Sequence, residues 1–399
     1  MTKELIINEN VIFVQGYHCG AIYDLNTGKV YNVNNAGCKV IHDLYKGIIL
    51  SNQFINGLIE YGLLNKNKQV YDYIPKQYMN ISLDLAWLEV TEACNLKCVH
   101  CYEGECHKHK TKSLTIEQWK NIVDQLVEIK VKRIVIIGGE PSCYKNVDQL
   151  IEYCGKKDIP TTFFTNATMI SDEIFNAIAE NNIDVKVSIY GHNELVHDSV
   201  TQVKGSFDKM NRNIDRFIEK GVSVYPSVII MKENEKYIND IKIFIENKGM
   251  VYKKYDVIRD VYGGTQNIHK PENDNIIKNS YYRKANFKTS LNDFLRNHYI
   301  NTCWYGKIAI QENGNIIPCV FERNISYGNI LDFKLLDILK NKIVTENWFL
   351  PLEKIIVCKD CEYRYCCKDC RALGISTKGN KYDKNPRCKY NPYKGEWEE

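Results

Sequence analysis

The stretch Thr91-Glu92-Ala93-Cys94-Asn95-Leu96-Lys97-Cys98-Val99-His100-Cys101-Tyr102 carries three cysteines in the spacing CxxxCxxC. Three thiolates within one short loop suit a cubane iron–sulfur cluster and leave its fourth iron without a protein ligand. A structural zinc site would need a fourth ligand to close its tetrahedron, and Cys106 or His107 would have to supply it. The loop therefore predicts an iron–sulfur cluster, with zinc as the alternative.

A second motif lies downstream of the cysteine loop. The run from Ile134 to Ile137 is apolar and β-branched, which is typical of a buried parallel strand, and Gly138-Gly139-Glu140-Pro141 follows it. Glycines let the backbone approach a bound ligand closely, and polar groups there can accept hydrogen bonds from an ammonium group. An isolated Gly-Gly turn is more often an ordinary tight turn, so this motif gains its meaning from following the cysteine loop.

The two motifs resemble the signature of the radical S-adenosylmethionine (SAM) enzymes, a CxxxCxxC loop after the first barrel strand and a GGEP motif further along. The resemblance implies that a 4Fe-4S cluster on Cys94, Cys98 and Cys101 chelates SAM. It also implies a partial (β/α)6 TIM-like barrel at residues 81–262, where apolar runs alternate with amphipathic stretches. The predicted strands are Trp87–Thr91, Arg133–Ile137, Thr161–Thr165, Val185–Ile189, Val222–Ile230 and Tyr255–Arg259, and Thr115 with Gln118 forms a capping-box pattern at one helix start.

Polar residues at the ends of the predicted strands are candidates for binding SAM, because chemistry in such barrels gathers at the C-terminal strand ends. By resemblance, Ser188 in Ser-Ile-Tyr-Gly meets the SAM ribose, and His100 lies where the family often has an aromatic residue near adenine. Ordinary alternatives remain: turn chemistry for Asn166, a strand hydroxyl for Ser188, a solvated charge for Arg259 and packing on the cluster for His100. The predicted SAM-binding residues are Gly138, Gly139, Glu140, Pro141, Asn166, Ser188, Arg259 and His100, and no residue is assigned a catalytic role.

Length and composition agree with an enzyme of two or three domains. The chain has 399 residues, of which 44% are hydrophobic and 26% charged, and its net charge of +4 is too small to indicate a nucleic-acid partner. The N-terminal residues lack an apolar run of signal-peptide length and no later run could span a bilayer, so we expect a cytoplasmic protein with no membrane partner. In a reducing compartment, 16 cysteines favour metal binding over disulfides.

A second cysteine zone follows a polar segment, residues 263–300, which we interpret as a linker with some helix. The zone, residues 301–399, is similar to the SPASM domain, the auxiliary-cluster module of radical SAM enzymes that mature peptides and proteins. The usual SPASM spacing is CxxC, five residues, C, three residues, C. Here Cys367 leaves two residues before Cys370, whereas Cys366 leaves only four residues after Cys361. We favour Cys367, with Cys366 as its rival.

The resemblance assigns the auxiliary ligands. The alternative of a zinc knuckle would leave several cysteines over, and five residues between pairs is short for a zinc ribbon. An inner cluster with only three cysteines has an open iron that a substrate thiolate could bind, unless the spare cysteine or a linker residue completes it. The outer cluster is predicted on Cys358, Cys361, Cys367 and Cys388, and the inner cluster on Cys303, Cys319 and Cys370.

The first 80 residues have a different character. Val11–Val14, Ala21–Leu25 and Lys29–Val33 are predicted as short strands, with Asn26-Thr27-Gly28 as a turn and two amphipathic helices after them. This pattern is similar to the winged-helix leader-recognition element of peptide-modifying enzymes, which can bind an extended peptide at a sheet edge. The alternative is a structural cap on the barrel.

Together these resemblances imply a radical SAM maturase of a ribosomally made precursor peptide. Its expected cofactors are SAM and three 4Fe-4S clusters, one binding SAM and two auxiliary, and its expected partners are the peptide and an electron donor such as flavodoxin or ferredoxin. The expected product is a crosslink, in particular a thioether from a substrate cysteine. Two alternatives stay open: an anaerobic sulfatase-type maturase that forms formylglycine, and a non-catalytic metal-binding adaptor.

Overall fold

The computed structural model describes residues 4–48, 51–74, 82–102, 113–259, 261, 266–281 and 287–398. Cys106 and His107, the residues considered as zinc ligands, lie outside this set. The described residues form two compact units. The first contains those of 1–80, 282–305 and 346–399, and the second those of 81–281 and 306–345.

Strands and helices are numbered along the chain. The strands are β1 (Leu5–Asn8), β2 (Val11–Gln15), β3 (Gly20–Asp24), β4 (Lys29–Val33), β5 (Tyr71–Asp72), β6 (Leu85–Glu89), β7 (Ile134–Ile137), β8 (Thr161–Thr165), β9 (Asp184–Ile189), β10 (Val224–Ile230), β11 (Asp256–Val257), β12 (Lys307–Ile310), β13 (Asn315–Ile317), β14 (Gly328–Asn329), β15 (Tyr390–Asn391) and β16 (Glu396–Trp397). The α-helices are α1 (Asn35–Tyr45), α2 (Gln53–Glu60), α3 (Ile116–Glu128), α4 (Val147–Lys156), α5 (Asp172–Glu180), α6 (Glu194–Thr201), α7 (Ser206–Glu219), α8 (Ile238–Asn247), α9 (Asp274–Ile276), α10 (Leu291–Tyr299), α11 (Leu335–Leu339), α12 (Lys342–Trp348) and α13 (Arg371–Lys378).

The second unit contains the parallel sheet. Its strand order is β11-β10-β9-β8-β7-β6-β12-β13-β14, in which β6 to β11 are parallel to their neighbours, as the barrel prediction requires. β12 also runs parallel to β6, and β13 and β14 continue the sheet antiparallel. All six predicted barrel strands are confirmed, with ends that differ by up to two residues, whereas β12 was not predicted.

The two faces of the parallel sheet have different environments. Leu88, Ile136, Phe163 and Val185 stand in register on one face and are fully buried. The opposite, inner face is only partly covered and carries polar groups such as Lys186 and Ser188. The capping box of α3 is confirmed, because Thr115 Oγ1 accepts from the Gln118 amide and Gln118 Oε1 accepts from the Thr115 amide.

The first unit is built on an antiparallel sheet with the order β4-β3-β2-β1-β5. Alternate side chains point to opposite faces of a strand, and both faces of this sheet are buried. Phe13 and Ile22 pack on the side of α1 and α2, whereas Val14 and Tyr23 pack with residues of the second cysteine zone such as Tyr365. The predicted strands β2, β3 and β4 and the two helices are confirmed, and β1 is an additional strand.

A buried ion pair joins this sheet to the second cysteine zone. Arg364 lies 2.8 Å from Glu4, the residue before β1. Its guanidinium also donates to the carbonyls of Gln15 at 3.0 Å and Cys361 at 2.9 Å. The N-terminal sheet and residues 346–398 therefore share one core, while the domain boundaries drawn from the sequence stay predictions. Among the described residues, no helix is long and apolar enough to cross a membrane.

Candidate active site at the cysteine loop

The cysteine loop starts after β6 and is held by backbone hydrogen bonds to the end of α6. The Lys97 amide donates to the Thr201 carbonyl at 3.0 Å, and the Val99 amide donates to the Val200 carbonyl at 3.0 Å. The side chains of Cys98 and Val99 pack on a small buried cluster that includes Val200. All three cysteines are half-buried and none is in a disulfide bond, so the loop presents three sulfur ligands from a fixed backbone.

Tyr190, the residue after β9, lies near all three cysteines of the loop. Its pKa is raised well above its ordinary value, first by burial and then by the nearby Cys98, with Cys101 and Cys94 adding in the same direction. All three thiols therefore lie near one phenol. Sequence reasoning missed Tyr190, although it stands inside the quoted Ser-Ile-Tyr-Gly segment.

His100 packs edge-on against the Tyr190 ring, with ring centroids 4.7 Å apart. Burial lowers the pKa of His100 to about 4, so its imidazole is neutral at physiological pH. Its Nδ1 atom is buried and has no hydrogen-bond partner within the described protein. A buried polar atom without a partner is costly, and the three cysteines of the loop lie near the Tyr190 ring on which His100 packs. These observations fit a bound cluster and a ligand with hydrogen-bond donors.

The glycines of Gly138-Gly139-Glu140-Pro141 lie directly against the backbone of the cysteine loop. The Gly139 amide donates to the Thr91 carbonyl at 2.8 Å, and the Glu140 amide donates to the Ala93 carbonyl at 2.8 Å. A Cβ atom on Gly138 would overlap the Thr91 carbonyl, and one on Gly139 would overlap the Glu92 carbonyl. The absence of side chains is therefore needed for contact between two loops, a reason that sequence reasoning did not give.

Glu140 is buried and its carboxylate is fully engaged. It accepts from Thr165 Oγ1 at 2.6 Å, from the Asn166 amide at 2.7 Å and from the Ser142 amide at 3.1 Å. Burial raises the pKa of Glu140, and these hydrogen bonds act against that rise by stabilising the carboxylate. Glu140 thus fixes the end of β8 relative to the glycine turn.

Asn166 continues this network into the cysteine loop. Its Nδ2 donates to Asn95 Oδ1 at 3.0 Å, and Asn95 Nδ2 donates to Thr168 Oγ1 at 2.7 Å. Asn95 directly follows Cys94, so the ends of β7 and β8 both hold the loop in place. Sequence reasoning missed Asn95. The available signal was an amide side chain between two predicted cluster ligands.

The remaining predicted residues lie nearby in the same unit. Ser188 stands on the inner face of β9 and hydrogen-bonds with Tyr190, which opposes the rise in the Tyr190 pKa. Arg259 pairs with Asp256 and lies 4.9 Å from the ring centroid of Phe321. That ring in turn lies 5.3 Å from Tyr102, the residue after Cys101, so Arg259 reaches the far side of the loop.

A buried ion pair that sequence reasoning missed lies at the end of the first barrel strand. Glu89 of β6 and Arg323 are both almost fully buried and lie 2.8 Å apart. Burial raises the pKa of Glu89, and Arg323 opposes the rise. Removing one partner of such a pair costs about 3–5 kcal/mol, because it leaves an uncompensated buried charge. A single glutamate at the end of a strand gave no signal of this partner, which is more than 200 residues away.

In the first unit, Cys366 and Cys367, the two candidates for one cluster ligand, pack in different surroundings. Cys366 is buried among tyrosines, where its Sγ atom lies 3.7 Å from the Tyr23 hydroxyl, and burial raises its pKa to about 12. Cys367 packs instead on the same apolar cluster as Cys358. The pKa of Cys361 is raised by burial first and then by neighbours that include Cys367 and Cys358. Two other predicted outer ligands, Cys361 and Cys388, pack on the cluster that contains Cys366, so the choice of Cys367 as the ligand stays a prediction.

None of the described cysteines is in a disulfide bond, including Cys303, Cys319, Cys370 and Cys388. Within the part of the chain that the structure describes, no group of three or more His, Cys, Asp or Glu side chains is already arranged around a metal position.

Two family models match the chain at the two cysteine zones. The radical SAM superfamily model matches residues 88–245, and the iron-sulfur cluster-binding SPASM model matches residues 302–371. The chain is a radical SAM enzyme with a SPASM domain. These domains imply iron–sulfur clusters and SAM as cofactors, and the donor set at Cys94, Cys98 and Cys101 fits that implication.

Relatives of this radical SAM enzyme act in more than one pathway. It is 24% identical to the AdoMet-dependent heme synthase of Oleidesulfovibrio alaskensis over 343 residues, 78% of this chain and 88% of that protein. It is 26% identical to the antilisterial bacteriocin subtilosin biosynthesis protein AlbA of Bacillus subtilis over 319 residues, 76% of this chain and 70% of that protein. In fold it is similar to SuiB of Streptococcus suis bound to its precursor peptide SuiA, with a TM-score of 0.64 and 18% identity, covering 97% of this chain and 100% of that chain.

Replacing Gly139 with alanine is expected to displace the cysteine loop from the glycine turn, because the new Cβ atom would overlap the Glu92 carbonyl. After anaerobic reconstitution, the variant should lose SAM cleavage and about four of about twelve irons. Iron analysis and formation of 5′-deoxyadenosine measure this. Gly57→Ala is the matched control, because nothing lies within 4 Å of a Cβ atom there. A Gly139→Ala enzyme with full iron and full activity would contradict the structural argument.

Cys366 and Cys367 provide a matched pair of variants. Cys367→Ala should reduce reconstituted iron and change the electron paramagnetic resonance signals of the auxiliary clusters, because its thiol lies with Cys358 and Cys361. Cys366→Ala should retain the iron and cost about 1–2 kcal/mol of stability, because it removes only a buried sulfur from an aromatic core. The opposite ranking of iron contents would reverse the ligand assignment.

Proposed function

We propose that this enzyme is a maturase that modifies a ribosomally made precursor peptide. The observation that carries the proposal is the N-terminal sheet with α1 and α2, which the barrel chemistry does not need and which shares a core with the second cysteine zone. The similarity in fold to SuiB extends over this part of the chain. The relation to AlbA, named for bacteriocin biosynthesis, supports the same class of substrate.

The cluster on Cys94, Cys98 and Cys101, when bound, supplies the electron that cleaves SAM to methionine and a 5′-deoxyadenosyl radical. The protein's own residues hold the cofactor. The backbone of Gly138 to Pro141 would hold the SAM ammonium group, and Ser188, Asn166 and Arg259 are proposed contacts to the rest of the molecule. Neutral His100 would offer its buried Nδ1 atom as an acceptor.

The inner face of the parallel sheet is the proposed place for the reacting peptide residue. It is walled by β8, β9 and β10, on which Phe164, Lys186 and Ser227 are partly covered. Such a face can hold a target carbon near the radical and exclude water, which would otherwise quench the reaction. Loss of one hydrogen atom from that carbon and one proton from a substrate thiol leaves one electron to be accepted when a thioether forms.

The auxiliary clusters are proposed as the acceptors of that electron. The outer cluster is assigned to Cys358, Cys361, Cys367 and Cys388, and the inner cluster to Cys303, Cys319 and Cys370. With three protein ligands, the inner cluster could bind the substrate cysteine and lower its thiol pKa.

The edge strand β4 is the proposed binding site for the precursor peptide. Its first half is already paired, since the Val30 amide donates to the Phe287 carbonyl at 3.1 Å and the Thr289 amide donates to the Gly28 carbonyl at 2.8 Å. Hydrogen-bonding groups alternate along an antiparallel strand, so the Asn32 amide points to the same outer edge as that of Val30. An extended peptide can pair with this second half by strand addition.

Heme synthesis is a second candidate, favoured by the 343-residue alignment to the heme synthase. Formylglycine formation in a sulfatase is a third, since it would use the same two cofactor domains without a leader-binding sheet. Only the peptide maturase gives the N-terminal sheet a role in substrate binding.

The test is an anaerobic reaction of the reconstituted enzyme with SAM, dithionite and the peptide encoded by a cysteine-bearing reading frame beside the gene. We expect 5′-deoxyadenosine and a peptide lighter by two hydrogen atoms for each thioether. Replacing Cys94, Cys98 and Cys101 with alanine should abolish both products. Heme formed from heme precursors, or formylglycine in a sulfatase peptide, with no change in the precursor would support a competing function instead.

The variant Asn32→Pro tests the peptide site. Proline removes the outward backbone amide, together with the side-chain bond to Tyr363, and is tolerated at a sheet edge. Precursor binding should therefore weaken at least about tenfold, while SAM cleavage without peptide is unchanged. Asn32→Ala is the matched control, because it also loses the side-chain bond to Tyr363 but keeps the amide. Isothermal titration with the precursor measures both. Equal affinity of the two variants and the natural enzyme would remove β4 as the docking edge.

A further inference from the structure

A surface cavity lies on the helical side of the parallel sheet, next to the cysteine loop. It has a volume of about 720 Å³ and is lined by the turn before α4, the loop after β8 and one side of α7. Four basic residues line it, Lys145, Lys209, Arg212 and Arg216, against two acidic residues, Asp148 and Glu173. The cavity is therefore open to solvent and carries an excess of positive charge.

The basic side of the cavity is provided mainly by α7. Lys209, Arg212 and Arg216 follow the spacing i, i+3, i+7, which places them along one face of the helix. Arg216 is 2.6 Å from Asp172 and also stacks on the Phe175 ring, so its position is fixed. Lys209 and Arg212 are exposed to solvent. They are suited to long-range attraction of an acidic partner.

The inner wall of the cavity is connected to the cysteine loop. Thr168 lines the cavity and accepts a hydrogen bond from Asn95 at 2.7 Å. Asn95 follows Cys94 directly, so one hydrogen-bonded side chain separates this wall from the backbone of the first predicted cluster ligand. Lys97, which is exposed, adds another positive charge on the same loop.

We infer that this cavity and the exposed face of α7 form the docking surface for an acidic, one-electron donor protein of the flavodoxin class. The inference rests on the proposed function, because only a cluster that reduces SAM requires such a donor. The anionic flavin hydroquinone of the donor would give up one electron to the oxidised cluster when that cluster is bound, and the flavin would become the neutral semiquinone without release of a proton. The peptide substrate is expected elsewhere, on the inner face of the sheet.

Two properties of the surface, its positive charge and its position beside the cysteine loop, favour an acidic electron-donor protein as its partner. An acidic protein would be attracted by Lys209 and Arg212, and the attraction would weaken with salt because exposed charges are screened within about 10 Å at 0.1 M ionic strength. A redox group docked at this wall would lie close to the predicted cluster ligands, because Thr168 is hydrogen-bonded to Asn95, the residue after Cys94. A small anion could also occupy the cavity, but it would not supply an electron.

The test uses the full-length reconstituted enzyme with the double substitution Lys209→Glu and Arg212→Glu. Binding of purified flavodoxin, measured by isothermal titration, should weaken about tenfold or more, and its salt dependence should flatten. Stopped-flow bleaching of the cluster by flavodoxin hydroquinone should slow by a similar factor. Reduction and SAM cleavage driven by dithionite should be unchanged, because neither residue belongs to the proposed active site.

The matched control is Lys236→Glu with Lys242→Glu, which makes the same change in net charge at exposed positions elsewhere in the same unit. Equal weakening in the two double variants would show attraction by net charge alone and would overturn the proposed surface. Unchanged flavodoxin binding in the α7 variant would overturn it too, as would competition by inorganic phosphate alone without any effect of the substitutions. Failure of dithionite to drive SAM cleavage in the natural enzyme would instead overturn the proposed function.

Discussion

The contact between the glycine turn after β7 and the backbone of the cysteine loop is the constraint on which the rest of the site depends. Two hydrogen bonds join the Gly139 and Glu140 amides to carbonyls of the loop, and neither glycine can carry a side chain there. A loop that must present three thiols in one direction would lose conformational freedom at a large entropic cost if it were ordered only by its metal. The segments that follow β7 and β8 reduce this cost, because their hydrogen bonds already hold the loop in place before a metal binds.

The sequence predicted the local features of this arrangement well. β4 and β8 have the predicted bounds, since each is a short apolar or β-branched run with clear turn residues beside it. The ends of the other strands differ from the predicted ends, because hydrogen bonding to neighbouring strands decides where each strand stops. β12 was missed because a strand of four residues shows little periodicity in its sequence. In addition, its parallel pairing with β6 joins segments about 220 residues apart in the sequence.

Partners that are distant in sequence could not be predicted. The network from Glu140 through Asn166 to Asn95 joins three segments, and an isolated amide gives no sign of which segment it will meet. The same holds for the pair of Glu89 and Arg323. The choice between Cys366 and Cys367 was also open, because two adjacent cysteines differ only in which face of the chain they occupy, and the sequence does not show that Cys366 packs among tyrosines whereas Cys367 packs near Cys358.

The N-terminal sheet shows how a recognition element can be coupled to a metal zone through packing. Both faces of this sheet are buried, and this explains why the sequence of β2 is a nearly continuous apolar run. In a sheet with one face in water, apolar and polar residues would alternate along the strand. One face holds α1 and α2, and the other holds Tyr363, Tyr365 and Cys366. Arg364 lies between Glu4, the residue before β1, and the carbonyl of Cys361, so a metal that ordered the predicted CxxC ligands would also order the sheet. A peptide that adds to β4 would then bind to an edge whose stability depends on the neighbouring cysteines, because interactions that share a buried charge are not additive.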